Sequence, residues 1–363
     1  VGDQIVFIDY LRTWGTNKII IDSNGLNYQG DPDTYTVEYN TDGETLNIVY
    51  ADATKGWIPL NDDDVTDVPS PPPTQKAIFG YGYAPPTQSI TNLVSSSGVV
   101  ATDTTGVGTA RHSLSAAGYG VDKALFGFGT GPTAITNLVS NSGVVATDTA
   151  GVGTARRDLA ATTYGTDKAI FGFGEGSGPG TNITNLVSSS GVVATDTAGV
   201  GTARYNPAAT GYGPLNGGKA LFGYGYNSSH AAVSMTNHVS NVGVVGSDVT
   251  GVGTARRDAN GGARYGGDKA IIAYGYGGGE LNISNLISNV GVVSADVSGV
   301  GTARSYLAAA NYGGDKAIFG YGGGGGEHSM TNLVSNTGVV GSDVTGVGTS
   351  RGYLAAAGYS TSA

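Results

Sequence analysis

Cysteine is absent from the 363-residue chain, which excludes a disulfide framework and a thiolate metal site. No apolar run approaches the roughly 18 to 20 residues needed to span a bilayer, so no helical anchor is expected. Charged residues make up only 13% of the chain. Lysine and arginine form no stripe of the kind that counterion release requires, so nucleic acid is not an expected partner. Apolar positions nowhere keep a 3.6-residue period across a repeat, which argues against helical solenoids. The chain opens at Val1 without a methionine or a signal-like apolar segment, and its targeting is not legible from the sequence.

What is present is glycine, 63 residues, and tyrosine, 21, in a chain long enough to bury a large core. The net charge of −10 is uneven: residues 1 to 75 hold thirteen acids against three bases, and the remainder is neutral. This asymmetry marks a small acidic β domain at 1–65, a proline-rich linker at 66–75 and a repeat domain at 76–363. The first carries alternating strands joined by "SNG" and "TDG" turns. Trp14 and Trp57 read equally well as its core aromatics. Asp62, Asp63, Asp64 and Asp67 beside the linker are expected to form a solvated face rather than a Ca²⁺ site.

A period of 45 to 52 residues dominates the chain beyond the linker. "KA(I/L)(F/I)" begins at Lys76, Lys123, Lys168, Lys219, Lys269 and Lys316, and "GVGT(A/S)R" ends at Arg111, Arg156, Arg204, Arg256, Arg304 and Arg351. Each unit contains four β-like runs, such as "LAATTY", "KAIFGFG", "ITNLVS" and "GVVATD", separated by turn residues. Four strands repeated six times predict an all-β, six-bladed β-propeller. The alanine-rich run suits the crowded innermost strand. Alternation would put Ala169, Phe171 and Phe173 on one face and Ile170, Gly172 and Gly174 on the other, so bulky faces meet glycine-lined neighbours. The C-terminal "RGYLAAAGYS" is an innermost strand without a blade to follow, while "KAIFGYG" at Lys76 lacks one. Joining them would close the ring and remove exposed edges.

The order of arginine, small-residue strand, "KAIF", glycine pair and "TNLVS" strand resembles the kelch repeat, over residues 76 to 363. The family's later tryptophan and mid-strand tyrosine are missing. "TNLVSNTGVVGSDVTGVGTSR" is also similar to glycine-rich kelch-like arrays of tailed-phage virion proteins. "TWGTN" and "VYADATKGW" in the first domain resemble β domains of phage tail fibres and head appendages. The resemblance implies a virion structural protein at the virion surface, joined to other virion proteins through its first domain and forming a homotrimer. It displays a propeller to a host-surface ligand such as a polysaccharide. A bacterial cell-surface adhesin or fibre subunit is the alternative, and a polysaccharide-degrading propeller enzyme another.

Enzyme chemistry is not expected. Kelch-like copper oxidases need a cysteine, and His112, His230, His238 and His328 occupy non-equivalent repeat positions, so no metal or cofactor is called for. "SDVTGVGT" at Ser247 to Thr254 does not match the sialidase box. The repeated Asp103, Asp148, Asp196, Asp248, Asp296 and Asp343, like the six arginines, read as structural, with each arginine bonding carbonyls or an aspartate between blades. "GYGGGGGEHS" lacks the Lys-Ser/Thr pair and the helix of a phosphate loop.

The connection between the second and third strands varies from unit to unit while the others stay nearly constant. Loop variation on a constant scaffold is how such folds acquire partners. The candidate ligand-binding residues are Tyr83, Gln88, Glu175, Asn182, Tyr226, Asn227, His230, Glu280, Asn282, Glu327 and His328, although unconstrained drift would also vary loops. Asn182, Asn227 and Asn282 lie in N-glycosylation sequons, relevant only to secretion from a eukaryote.

Overall fold

A computed structural model describes residues 2–30, 37–60, 74–215, 217–259 and 261–361. The chain divides into two compact units, Val1–Ser70 and Pro71–Ala363. Residues 66–73 of the expected linker and Asp62, Asp63, Asp64 and Asp67 lie outside the described residues.

In the first unit, β1 (Gln4–Ile8), β4 (Thr45–Asp52) and β5 (Gly56–Pro59) form one antiparallel sheet in the order β1-β4-β5. A second ladder joins β2 (Ile19–Ile21) to β3 (Val37–Tyr39). Trp14, Tyr28, Tyr39, Leu46 and Ile48 form its core, with Trp57 packed against them. Asp9 orders the loop after β1 by accepting backbone N–H bonds from Thr13 and Trp14 at 3.0 Å and from Gly43 at 2.9 Å. Asn24 and Gly25 at "SNG" and Gly43 at "TDG" adopt the positive φ such turns require.

The second unit is all-β, without a helix among the described residues, and is built from six three-stranded antiparallel sheets. The first combines β6 (Lys76–Tyr83) and β7 (Thr87–Val94) with the last strand, β25 (Ala355–Tyr359), in the order β25-β6-β7. Ala355 pairs with Gly80 and Tyr359 with Lys76. The second contains β8 (Ser115–Tyr119), β9 (Lys123–Gly129) and β10 (Thr133–Val139). The third contains β11 (Ala160–Tyr164), β12 (Lys168–Gly172) and β13 (Thr184–Val187). A two-residue ladder, β14 (Arg204–Tyr205) with β17 (Tyr226–Asn227), accompanies the fourth sheet of β15 (Ala208–Tyr212), β16 (Lys219–Gly223) and β18 (Thr236–Val239). The fifth holds β19 (Gly262–Tyr265), β20 (Lys269–Tyr276) and β21 (Glu280–Ile287). The sixth holds β22 (Ala308–Tyr312), β23 (Lys316–Gly320) and β24 (Thr331–Val334).

The alanine-rich strands β8, β11, β15, β19, β22 and β25 pack on one another in that order, and β25 packs on β8. Together they line a narrow central channel. Small side chains are needed there because six backbones converge. Neighbouring sheets interlock ring into glycine: a Cβ on Gly80, Gly127, Gly172 or Gly320 would lie 2.6 to 2.7 Å from Cζ of Phe126, Phe171, Phe222 or Phe79 of the adjoining sheet.

Two sequence expectations need correction. The fourth run forms no strand. "GVVATD" touches the third strand through isolated bridges, Val139 to Val145 and Thr136 to Thr149 in the second sheet. Between them the Asn137 amide donates to the Ala146 carbonyl at 3.0 Å and to Asp148 Oδ1 at 2.9 Å, so a side chain replaces the backbone ladder. The strict alternation also fails at Phe173. That residue has φ 63°, as do its equivalents within a degree or two: Tyr81, Phe128, Tyr224, Tyr274 and Tyr321. A left-handed residue turns the side chain to the other face, so Phe173 packs with Ile170 while Phe171 packs with Phe128.

Candidate functional site

The left-handed aromatics are seats for the repeated arginines. Each guanidinium lies over the aromatic ring of the preceding sheet, 4.0 to 4.4 Å from its centroid, as Arg111 over Tyr81 and Arg351 over Tyr321. Nη2 donates to a fully buried asparagine of the arginine's own sheet, Arg111 to Asn137 at 2.7 Å. In four repeats Nε donates to an aromatic carbonyl, Arg111 to Phe128 at 2.8 Å. The asparagine passes the contact to the repeated aspartate, which accepts the threonine hydroxyl two residues before the arginine, Thr109 to Asp148 at 2.6 Å. Burial dominates the arginine, drawing Arg156 down to about 10. Sequence reasoning missed these asparagines, although each stands at the second position of "TN(L/H)V" or its "SNLI" variant.

The inner and second strands are antiparallel, so the variable loops lie at the end where each inner strand begins. Bridges from Tyr83 to Gly352, Arg157 to Glu175 and Arg257 to Tyr276 fix them there. The structure gathers several sequence candidates on this face. Tyr83 stands edge-on to His112, which contacts Tyr353. Tyr226 meets Tyr205, whose hydroxyl is 3.0 Å from His230 Nδ1. The Arg257 guanidinium lies 4.8 Å from the Tyr226 ring and 4.9 Å from that of Tyr276. Glu175 pairs with Arg157 at 2.6 Å, and Glu280 accepts the Ser305 hydroxyl at 3.2 Å. Burial raises the Glu280 carboxyl.

Other candidates serve their own loops. Gln88 donates to the Ala84 and Pro86 carbonyls, and the Asn227 side chain accepts the Ser229 and Ala231 amides. Asn182 and Asn282 donate to the carbonyls of Gly201 and Gly301. Glu327 is exposed, and His328 is half-buried in its loop.

At the centre of the face are residues the sequence reading did not single out. Ser113, Asp158, Asn206, Asp258, Tyr306 and Tyr353, each two positions beyond the arginine, all have φ between 51° and 56°. Their backbones link around the channel: Ser113 N–H donates to Tyr353, Asp158 to Ser113, Asn206 to Asp158, Tyr306 to Asp258 and Tyr353 to Tyr306, at 2.7 to 3.1 Å. The Tyr306 and Tyr353 rings stack at 3.8 Å. Burial pushes the Asp158 carboxyl up to about 6, and burial with the nearby charges of Asp158 and Glu280 pushes Asp258 up to about 7. Arg157 and Arg257 lie beside them, with Arg257 Nη1 3.0 Å from Asp258 Oδ2. The signal was available in the sequence: this position reads S, D, N, D, Y, Y where its surroundings repeat.

No family model matches the chain, and no curated protein matches it. Among solved structures it is similar to that titled "Structure of YjhT", a β-propeller-type protein, with 10% identity over 68% of this chain and 87% of that one and a TM-score of 0.50. At that identity the likeness speaks for the fold alone, an all-β, β-propeller-like architecture.

Proposed function

We propose that residues 76–363 form a closed, kelch-like six-bladed propeller, and that the chain is a virion appendage protein of a tailed phage, in a tail fibre or head appendage. In this reading the propeller binds a host-surface ligand, a glycan by the chemistry of its face. The seating of β25 against β6 supports closure, with the terminal strand completing the sixth blade. One observation carries the function: the variable loops and the varying residues two positions beyond each repeated arginine lie at the same end of the inner strands. There they offer tyrosine and histidine rings beside carboxylates and guanidiniums, a mixture suited to polyhydroxylated ligands. The first unit exposes Val6, Ile8, Ile20 and Leu60, which supports attachment to other virion proteins or trimerisation.

Polysaccharide degradation is the second reading, favoured by the neighbouring Asp158 and Asp258. Glycosidase carboxylates must reach the scissile bond. Asp258 has no exposed surface, so adhesion is preferred. Purified protein incubated with host capsule or lipopolysaccharide separates the two. Saturable binding without new reducing ends supports adhesion, turnover of the polymer replaces it with catalysis, and absence of binding to any host glycan removes the glycan reading.

A further inference from the structure

The end of the channel away from the variable loops carries a cation without a counter-ion. Every inner strand finishes in tyrosine, and the residue before it lines the channel: Gly118, Thr163, Gly211, Arg264, Asn311 and Gly358. Glycine serves in three of the six repeats, so the fold itself does not require an arginine there. The Arg264 guanidinium donates through Nη2 to the carbonyls of Gly213 and Gly267, while its solvent-shielded Nε and its Nη1 bond to nothing among the described residues. The four aspartates of this end, Asp122, Asp167, Asp268 and Asp315, are each paired with the lysine that follows, at 2.8 to 3.3 Å. Six lysines begin the second strands here, so with Arg264 they outnumber those aspartates by three charges. Burial draws Arg264 down to about 10, which leaves it charged at neutral pH. A cation withdrawn from water costs least when it is paired.

We infer that this mouth binds a small free oxyanion of the phosphate class, held by the Arg264 guanidinium together with the hydroxyls of Thr74 and Thr163 and the Asn311 amide. All four side chains border one cavity of about 80 Å³, and no carboxylate borders it. The glycines of the ring bring these groups close. A Cβ on Gly211 would lie 3.3 Å from Arg264 Nη1, one on Gly118 would lie 3.6 Å from Thr163 Oγ1, and one on Gly358 would lie 2.6 Å from Thr74 Oγ1 and 3.0 Å from Asn311 Nδ2. Asn311 donates to the Thr74 oxygen, which leaves the Thr74 proton to donate in turn. Thr74 precedes β6, while Thr163, Arg264 and Asn311 lie on β11, β19 and β22, so the donors approach from several sides of the mouth. A tetrahedral ion offers oxygens in all these directions and a flat carboxylate in only two. Water would answer the N–H groups but not the charge. The cavity has room for several waters, enough for a small ion, and is well below the roughly 300 to 1,000 Å³ of pockets for larger ligands. Because it lies at the opposite end of the inner strands from the variable loops, such a site does not depend on what those loops bind.

The test titrates the full chain, in phosphate-free buffer at constant ionic strength, with sodium phosphate, sodium acetate and glucose 6-phosphate by calorimetry, and follows thermal melting alongside. One phosphate per chain is expected, with a melting midpoint that rises by a few degrees. Acetate and glucose 6-phosphate should bind about tenfold more weakly or worse. Arg264→Gln should weaken phosphate binding by about tenfold or more. Because that variant also disturbs the bonds to Gly213 and Gly267, Thr163→Val supplies a second reading: it should melt close to wild type and bind phosphate severalfold more weakly. Lys168→Gln, which removes an exposed charge from the same end, should bind within about twofold of wild type. Absence of saturable phosphate binding overturns the site, as does binding undiminished in Arg264→Gln or, where that variant does not fold, in Thr163→Val. A loss in Lys168→Gln equal to that in Arg264→Gln would replace the site with diffuse attraction. Acetate or glucose 6-phosphate bound as tightly as phosphate would overturn the assignment to a small tetrahedral ion.

Discussion

Arg351 Nε donates to the carbonyl of Tyr81 at 2.7 Å, joining residues 270 positions apart in the chain. The same guanidinium donates to Asn92 Oδ1 at 2.7 Å and lies 4.3 Å from the centroid of the Tyr321 ring. One side chain thus links the beginning of the repeat array to its sixth sheet. Within the array, arginines such as Arg111 make the same contacts between sheets that follow directly in sequence.

Arg351→Ala should therefore cost more than an exposed arginine would. It leaves the Tyr81 carbonyl and Asn92 buried without their donor and opens a void beside Tyr321, for a loss of about 3 kcal/mol. Deleting residues 351–363 also strips β25 from β6 and bares a sheet edge, so aggregation should accompany a much lower melting midpoint. Differential scanning calorimetry and light scattering check both, and an unchanged transition in the deletion would refute ring closure.

The ring-into-glycine contact has an internal control. A Cβ on Gly80 would meet Phe126 Cζ at 2.6 Å, but one on Gly223 would sit 3.8 Å from Ile272 Cδ1, because the fifth repeat carries isoleucine in place of phenylalanine. Thr236 Cγ2 at 3.1 Å is the closer neighbour of Gly223. Gly80→Ala is predicted to destabilise by about 1 to 2 kcal/mol through overpacking, and Gly223→Ala by less. Phe126→Leu added to Gly80→Ala should restore part of the loss in a double-mutant cycle. Equal costs at the two glycines would show that the phenylalanine tip does not set the spacing.

The period, the arginines, the alanine-rich strands and the pairing of "LAAAGY" with "KAIFGY" were legible because each repeats or completes a repeat. The left-handed aromatics were not, since a bulky residue with positive φ runs against local preference and is held here by tertiary contacts, the stacked guanidinium and the packing of the ring against the next sheet. The missing fourth strand was hidden for a related reason. "GVVATD" has strand composition, but buried Asn137 and its equivalents take the hydrogen bonds that a ladder would use. At the candidate site, loop variation singled out loops that the structure places at one end of the inner strands, while Asp158 and Asp258 escaped notice because they follow the constant arginine motif rather than sitting in a variable loop.

If the variable face is adhesive, its exposed aromatic group should matter for binding and little for stability. Tyr226→Ala removes the ring under Arg257, and His230→Ala removes a side chain exposed on its turn. Each is expected to weaken binding to host glycan roughly tenfold, a loss of about 1.4 kcal/mol, with melting changed by a degree or two. Surface plasmon resonance on immobilised polysaccharide measures the first and calorimetry the second. Undiminished binding in both variants would move the adhesive surface away from these loops.

The repeated aspartates set the acid limit of the second unit. For Asp148, burial works against the ionised form, but the Thr109 hydroxyl, Asn137, the Thr109 amide and Arg111 favour it more, so the carboxyl lies below its usual 3.8. Asp103, Asp196, Asp248, Asp296 and Asp343 are lowered by the same balance. A carboxyl whose folded value is depressed contributes stability that is present in full above the unfolded value of 3.8 and is lost as pH falls through the folded one. The melting midpoint should rise as pH falls from about 7 to about 5, because the raised Asp158 and Asp258 carboxyls take up protons in the fold, and then drop steeply below about pH 4 as the six lowered carboxyls are protonated. Asp148→Asn keeps an acceptor for Thr109 but not the charge, so it should lower stability at neutral pH by on the order of 1 kcal/mol. It should also make the acid limb shallower, by less than about a sixth of its depth, because Asp122, Asp268 and Asp315 are lowered alongside the six repeated aspartates. Melting curves of the wild type and this variant between pH 3 and 7 decide it, and an acid limb of unchanged depth in Asp148→Asn would mean that the stability lost in acid resides elsewhere.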